Sequence, residues 1–116
     1  MRESRLVSLI LAYLNGLPAG KAIKIHGSQF MEAGTPDVLA VVNGRAVLVE
    51  VKTGTKTSPI QEYRIGQWRD AGAVVVVARS LDDVMAAVRS LPPHPHPTSQ
   101  TATAGTRRPS WGSGSL

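Results

Sequence analysis

Two acids and a lysine in the middle of the chain have the types and spacing that suit phosphoryl chemistry. Glu50 and Lys52 are two residues apart, and Asp37 precedes them in the chain. On a β-strand, residues two apart point to the same face, so Glu50 and Lys52 would place a carboxylate beside an ammonium. If Asp37 lies on a neighbouring strand, two carboxylates meet next to one lysine.

Two carboxylates held close together repel each other unless a cation lies between them, and hard oxygen ligands with open positions favour Mg²⁺. Such a metal polarises a phosphoryl oxygen and lowers the pKa of its bound water. Lys52 would stabilise the developing negative charge or orient that water. The three residues therefore indicate metal-assisted hydrolysis of a phosphodiester. Taken alone, they fit a solvated salt bridge on a surface hairpin equally well.

The elements that would bring these residues together are two strands joined by a tight turn. Asp37 opens the run DVLAVV, and the run RAVLVEVK carries Glu50 and Lys52. Asn43-Gly44 stands between the runs, and Asn-Gly between two apolar runs is the strongest short-range indication of a β-hairpin. The mirror position of Asp37 in that hairpin lies near Glu50 and Lys52, with a small uncertainty of register.

The N-terminal part predicts one helix and one short strand. Apolar residues recur at three- and four-residue spacing from Glu3 to Asn15, which indicates an amphipathic helix. The segment from Ala22 to His26 alternates apolar and polar residues. This alternation predicts a half-buried strand with Ile23 and Ile25 turned inward.

The segment after the hairpin predicts a helix, a strand and a last helix. Ser58 and Gln61 have the spacing of a capping box, and Gly72 ends the helix that they begin. Residues 73–78 contain four consecutive valines, which is typical of a central strand covered on both faces. Ser80 then begins the last helix. The order is α-β-β-β-α-β-α, which predicts an α/β fold.

Composition limits the class of protein. The 116 residues suit one domain, which we assign to residues 1–91, and residues 92–116 form a Pro-, Ser-, Thr- and Gly-rich tail that we expect to be disordered. A formal charge of +5 is a mild indication of a polyanionic partner. The chain has no cysteine, which excludes disulfides and thiolate metal sites. Its N-terminal apolar stretch is too short to span a bilayer, so we expect a cytoplasmic protein with no membrane partner.

Several motifs follow one another in the order of a known family. They are G-T-P-D-V-L at residues 34–39, L-V-E-V-K-T at 48–53 and S-P-I-Q at 58–61. K-I-H-G at 24–27 and A-G-A-V-V-V-V at 71–77 extend the similarity across the predicted folded part. Together these motifs resemble the VRR-NUC family of the PD-(D/E)XK nucleases, in particular its stand-alone phage and bacterial members. The resemblance implies a compact restriction-endonuclease-like fold, with a central mixed β-sheet of about four strands flanked by helices.

The resemblance also implies an activity. It predicts a Mg²⁺-dependent endonuclease that hydrolyses DNA phosphodiester bonds, with Mn²⁺ as an alternative metal, in a bacterial or phage-infected cell. Stand-alone members of the family are associated with structure-selective cleavage of Holliday junctions or flap and branched DNA, and they often act as homodimers. For this chain the family pattern makes Asp37 and Glu50 metal ligands and Lys52 the catalytic lysine.

Three further site residues follow from the resemblance. Glu3 would be a metal ligand from the first helix, Val51 would offer its backbone carbonyl to the metal, and Gln61 would lie in the active site. Glu3 and Gln61 each have a structural explanation as well. A glutamate in the first helical turn complements the helix dipole, and a capping box uses its glutamine to cap the helix.

Three basic residues are predicted to contact DNA phosphates, namely Lys24, Lys56 and Arg64. A solvated charge explains each of them too. Three other functions remain open: a DNA-binding or assembly module with a vestigial nuclease centre, a sequence-specific restriction-type nuclease, and a non-nuclease α/β binding protein. The intact acids and lysine count against the first, and the lack of an obvious recognition helix counts against the second. Failure to bind Mg²⁺ would favour the third.

Overall fold

The computed structural model of this chain describes residues 2–26, 34–54 and 57–92. The helices are α1 (Glu3–Asn15), α2 (Pro59–Asp70) and α3 (Leu81–Arg89), and the strands are β1 (Gly20–Lys24), β2 (Val38–Val42), β3 (Arg45–Val51) and β4 (Val74–Ala78). Lys56 and residues 93–116, which make up nearly all of the predicted tail, lie outside the described ranges. Within those ranges, no helix has both the length and the apolar character needed to span a bilayer.

The four strands form one mixed sheet in the order β1-β2-β3-β4. The first three strands are antiparallel neighbours, and β4 runs parallel to β3. A parallel pair needs a crossover connection, which α2 provides. The element order and the four-stranded mixed sheet confirm the predicted α/β fold.

The hairpin between β2 and β3 turns at Asn43 and Gly44, as predicted. Both residues have positive φ, 51° and 79° respectively. A two-residue type I′ turn requires positive φ at both positions, and Asn-Gly adopts it at low cost. At the far end of the hairpin Val38 pairs with Val49. The turn therefore brings the start of β2 to the end of β3.

The main core lies between one face of the sheet and the helices α1 and α3. Leu6, Ile10 and Leu14 of α1 are buried at the helical spacing that the sequence predicted. They share one cluster with Val84 of α3 and with every second residue of β3, namely Val47, Val49 and Val51. Because side chains alternate along a strand, the residues between those valines face the opposite side of the sheet.

A smaller core lies on that opposite side, beneath α2. Ile65 of α2 packs there with Leu48 of β3 and Val75 of β4. Glu50 is two residues from Leu48, so its side chain leaves the sheet on the same side. The crossover helix therefore covers the face of β3 that carries Glu50.

The ends of the last two helices are formed by the predicted residues. The Ser58 side chain accepts a hydrogen bond from the Gln61 N–H at the start of α2, and the Ser80 side chain accepts one from the Asp83 N–H at the start of α3. Gly72, with φ of 106°, follows the last turn of α2. These caps set where each helix starts and stops, and α2 begins close to the end of β3.

Strand β1 differs from its prediction in extent and in the side that it buries. It spans Gly20–Lys24 rather than residues 22–26, and Ala22 is its buried residue. Ile23 is 51% exposed, so the expectation that it faces the core is wrong. Its neighbours on that side, Leu39 and Val41, are exposed as well.

The connection between α1 and β1 explains this difference. The Asn15 side-chain amide donates to the Ala22 carbonyl at 3.0 Å and accepts from the Ala22 N–H at 2.9 Å. These two bonds tie the end of α1 to the middle of β1. The small side chain of Ala22 then faces the α1 layer, where a helix packs closely against the sheet.

The prediction that β4 is a central strand is wrong. It pairs with β3 alone among the described strands and lies at the edge of the sheet. Its two faces are nevertheless covered, one by α2 and the other by α3. The run of valines therefore reflects burial of both faces, which a strand can have without a second strand neighbour.

Candidate active site

The end of β3 carries a carboxylate and an ammonium on one face. Glu50 Oε2 lies 3.7 Å from Lys52 Nζ, as the two-residue spacing predicted. Glu50 is 4% exposed and is the one buried charged residue in the described part of the chain. A solvated surface salt bridge would keep both groups in water. The burial of Glu50 therefore argues against that explanation of the motif.

Asp37 lies immediately before β2, beside the end of β3. Its backbone carbonyl accepts a hydrogen bond from the Ile25 N–H at 2.8 Å, and its N–H donates to the Val49 carbonyl at 2.9 Å. Its carboxylate reaches further along β3, where Oδ2 accepts from the Val51 N–H at 2.8 Å. These bonds fix both the backbone and the side chain of Asp37.

The pairing of β2 with β3 is irregular at this point. Val49 is the register partner of Val38, yet its carbonyl also accepts the N–H of Asp37. Two consecutive residues of one strand therefore face one residue of the other, which is the arrangement of a β-bulge. A bulge redirects a side chain, and here the carboxylate of Asp37 is directed to the Val51 N–H.

The environment of Glu50 raises its pKa from 4.5 to about 7. Burial is the largest cause, because it removes water from the charged form, and the negative charge of Asp37 acts in the same direction. The Lys52 ammonium opposes both effects. A buried carboxylate whose ionisation is hindered by a neighbouring acid is a site that a divalent cation would stabilise.

Gln61 joins the start of α2 to the acidic site. Its Oε1 accepts a hydrogen bond from the Ser58 N–H at 3.0 Å, which completes the capping box. Its Nε2 donates a short hydrogen bond to Glu50 Oε2. One amide therefore serves both predicted contacts, because the cap holds the oxygen and leaves the NH₂ group pointing at Glu50. The oxygen that receives this bond is the same one that faces Lys52.

The oxygen donors at this place fit a hard divalent cation. Asp37 and Glu50 supply two carboxylates, and Mg²⁺ in proteins is commonly held by one or two carboxylates with water in the remaining positions. The Val51 carbonyl leaves β3 on the same side as the Val51 N–H, which Asp37 holds. The predicted ligands Asp37, Glu50 and Val51 thus come from one small region.

Glu3 lies apart from Asp37 and Glu50. In the described residues, no group of three or more His, Cys, Asp or Glu is close enough to hold a metal ion. The carboxylate of Glu3 instead accepts a hydrogen bond of 3.5 Å from the Thr53 hydroxyl, just beyond the end of β3. Thr53 was not predicted as a contact, although it is the last residue of the L-V-E-V-K-T motif.

The predicted DNA contacts fall on different parts of the surface. Arg64 lies on α2, where its guanidinium is 5.4 Å from the Tyr63 ring centroid and donates to Gln67 Oε1 at 2.8 Å. Lys24 is exposed at the end of β1 and pairs with Val38. Directly paired residues share a face, so Lys24 leaves the sheet on the α1 side, opposite Glu50. Lys56 lies outside the described residues.

Solved structures that are similar to this chain include two that are described as VRR_NUC domains. One, described as a VRR_NUC domain, matches with a TM-score of 0.64 and 27% identity, covering 78% of this chain and 97% of the other. Another, described as a VRR_NUC domain protein, matches with a TM-score of 0.63 and 17% identity, covering 77% and 86%. At its lower identity, the second structure supports the fold alone. No protein-family model and no curated protein matches the sequence.

Proposed function

We propose, from the premise that this chain belongs to the VRR-NUC family of nuclease domains, that it is a metal-dependent endonuclease. Its substrate in this proposal is DNA, and the reaction is hydrolysis of a phosphodiester bond. Likeness to solved VRR_NUC domains supports a nuclease domain. The arrangement of this chain's own residues at the end of β3 supports the more specific chemistry.

The observation that carries the proposal is the burial of Glu50 beside a second acid. An ionised carboxylate in the interior destabilises a fold unless it is paired, and the like charge of Asp37 adds to that cost. Lys52 and Gln61 both approach Glu50 Oε2, which compensates in part. A divalent cation bound by both carboxylates would offset the rest of this cost and stabilise the folded state.

In the proposed reaction, Asp37 and Glu50 hold Mg²⁺, with the Val51 carbonyl as a further ligand. When bound, the metal supplies an electrophile for a phosphoryl oxygen and a water of lowered pKa. The Val51 N–H fixes the orientation of the Asp37 carboxylate through Oδ2. The Gln61 NH₂ group fixes the orientation of Glu50 through Oε2. Both acids are thereby oriented before a metal arrives.

Lys52 has a separate task in this proposal. Its side chain is 17% exposed, so the ammonium lies at the boundary between the buried acid and solvent. A cation in that place can stabilise negative charge as it develops on the phosphoryl group or orient the attacking water. Glu3 is the least supported ligand of the set, because its contact in the described structure is the Thr53 hydroxyl.

We extend the proposal to branched DNA, such as a Holliday junction or a flap, and to action as a homodimer. The family resemblance supports both, and the small size of the chain supports the second, since paired cuts on two strands need two sites. A solution mass of twice the 12.3 kDa chain would support the homodimer. Mn²⁺ is proposed as an alternative metal at the same ligands.

The test is incubation of the protein with labelled four-way junction, flap, single-stranded and linear duplex DNA, with and without Mg²⁺. Asp37→Asn is the matched variant, because it removes the charge and keeps the shape of the side chain. We expect cleavage that needs both the metal and Asp37, with branched DNA cut faster than linear duplex. Intact DNA in every reaction, with folding and metal binding verified, would overturn the proposal.

A second candidate is a DNA-binding or assembly module whose nuclease centre is vestigial. One observation favours it: the described residues bring two acids together without a third. This candidate predicts tight DNA binding without cleavage at any metal concentration. The same incubation, with a gel-shift measurement beside it, separates the two functions.

A further inference from the structure

Gly34 passes unusually close to the first turns of α2. A Cβ atom at this position would lie 3.1 Å from the Ile60 carbonyl oxygen, 3.2 Å from the Gln61 Cα and 3.1 Å from the Arg64 Cγ. Ordinary carbon contacts are longer, and two of these three atoms belong to the helix backbone. The backbone at Gly34 is also in the left-handed region, with φ of 82°. Only a residue without a side chain fits here without moving the helix.

The two segments that meet at Gly34 are the two that flank Glu50. Gly34 is three residues before Asp37, and the intervening Pro36 is fully buried. On the helix side, one of the three atoms is the Cα of Gln61, whose side-chain amide donates to Glu50 Oε2. The distance between the loop and the helix at Gly34 therefore sets the distance between Asp37 and Gln61 across Glu50.

We propose that Gly34 is a positioning residue of the active site. Its missing side chain lets the segment that carries Asp37 lie against the first turns of α2, and this contact holds the Gln61 amide against Glu50. The proposal rests on the proposed nuclease function for its consequence on catalysis. The geometric part of the proposal, that Gly34 positions Gln61, depends only on the contacts of the described residues.

Gly72 is a control that distinguishes close contact with α2 from the strain of a side chain in the left-handed region. Gly72 also has a positive φ, 106°, yet a Cβ at Gly72 meets nothing within 4 Å. Alanine at Gly72 therefore tests backbone strain without any collision. Gly34→Ala combines the same kind of strain with contact against α2. Gly34→Asn keeps the contact and reduces the strain, because asparagine tolerates the left-handed region better than alanine.

The first readout is the side-chain NH₂ signal of Gln61 in ¹H–¹⁵N NMR spectra of the metal-free protein, assigned by its loss in Gln61→Ala. In wild type and in Gly72→Ala we expect this signal at the position of a hydrogen-bonded amide, with slow hydrogen exchange. In Gly34→Ala and Gly34→Asn we expect it to move to the position of a solvated glutamine. An unchanged Gln61 signal in a folded Gly34 variant would overturn the proposal.

The second readout is single-turnover DNA cleavage beside DNA affinity. Both Gly34 variants should cut at least about tenfold more slowly than wild type, because a displacement of a few tenths of an ångström at a reacting site is costly. DNA affinity should change by no more than about threefold, because Gly34 meets the Arg64 side chain at its Cγ and the flexible end of that side chain can still reach a phosphate. Gly72→Ala should match wild type in both measurements.

Two further outcomes are decisive. If Gly72→Ala folds and both Gly34 variants fail to fold, Gly34 is needed for folding rather than for the site, and the proposal is wrong. The NMR comparison needs no DNA. A wild-type protein that cuts nothing would thus overturn the proposed function, while the Gln61 signals would still decide whether Gly34 positions that amide.

Discussion

The carboxylate of Glu50 lies in the interior at the end of β3, where Asp37 repels its charge and Lys52 and Gln61 face its Oε2. Ionising a buried carboxylate next to a like charge lowers the stability of the folded state. A cation bound by both acids would remove that cost. The stability of the metal-free protein should therefore fall as Glu50 ionises.

The free energy of unfolding of the metal-free protein should fall as the pH rises from 4.5 to about 7, which is the interval between the ordinary and the raised pKa of Glu50. In this interval the folded state holds the Glu50 proton more tightly than the unfolded state. The contribution is complete below the lower pKa and is lost as the pH passes the upper one. Its full size is about 3 kcal/mol. Urea unfolding in EDTA at about pH 5.5 and about pH 8 measures about 2 kcal/mol of it, because about one pH unit of the loss already occurs below that range.

Glu50→Gln is the control for this pH dependence, because it keeps the size and the polar contacts of the side chain and cannot ionise. Its stability should change less between the two pH values than that of wild type. At the higher pH it should be the more stable protein, although inactive. Equal pH dependence in the two proteins would show that Glu50 does not titrate as described.

At the residue scale, the sequence predicted which side chains meet. Asp37, Glu50 and Lys52 converge because the two-residue strand period and the Asn-Gly turn determine their places. The hydrogen bonds that neighbouring residues make to these side chains could not be predicted from the sequence. The bond from Val51 N–H to the Asp37 carboxylate depends on the irregular pairing at the start of β2, which no local pattern of residues indicates.

At the element scale, local signals were reliable where a few neighbouring residues determine the structure. The capping residues of α2 and α3 and the turn of the hairpin were predicted correctly for this reason. The errors came from tertiary packing. β1 buries Ala22 because Asn15 ties it to α1, and the valines of the edge strand β4 are buried because helices cover both of its faces. Both effects depend on contacts between elements, which a local pattern of residues does not show.

The cap of α2 is expected to support both the helix and the site. Ser58→Ala should cost about 1 kcal/mol of stability through loss of the N-cap bond. It should also slow single-turnover DNA cleavage, because loss of the bond from the Gln61 N–H to the Ser58 hydroxyl loosens the start of the helix, where the Ser58 N–H holds the Gln61 side chain. Chemical denaturation and cleavage rates measure the two effects.

Ser80→Ala is the matched control for that variant. Ser80 caps α3 through the same kind of bond, to the Asp83 N–H, without a described link to Glu50. Its stability loss should be similar, and its cleavage rate should stay near that of wild type. Equal loss of cleavage in the two variants would show that the helix cap acts on stability alone.

At the scale of the whole molecule, the site lies at the end of the sheet where β1 and β3 finish and β2 begins. Lys24 is at that end on the α1 side, and Arg64 is on α2. If DNA lies across this end, Lys24→Ala and Arg64→Ala should each lower the salt dependence of binding by about one released counterion. Fluorescence anisotropy over a range of salt concentrations measures that slope.

Lys21 provides the internal comparison. It is exposed on the same strand as Lys24, but it pairs with Val41 close to the hairpin turn, away from the end that carries the acids. Lys21→Ala should leave the salt dependence near the wild-type value. If Lys21→Ala and Lys24→Ala lower it equally, the positive charge acts diffusely and DNA has no fixed orientation on this end of the sheet.

The central claim is that the lysine and the two acids at the end of β3 cut DNA together with a metal. The most direct measurement is the single-turnover cleavage rate of a four-way junction at saturating Mg²⁺, for wild type and Lys52→Ala, with Mg²⁺ binding measured in both. We predict that both proteins bind the metal and that Lys52→Ala cuts at least about a hundredfold more slowly. Cleavage at the same rate by both proteins, or none by metal-bound wild type, would contradict the claim.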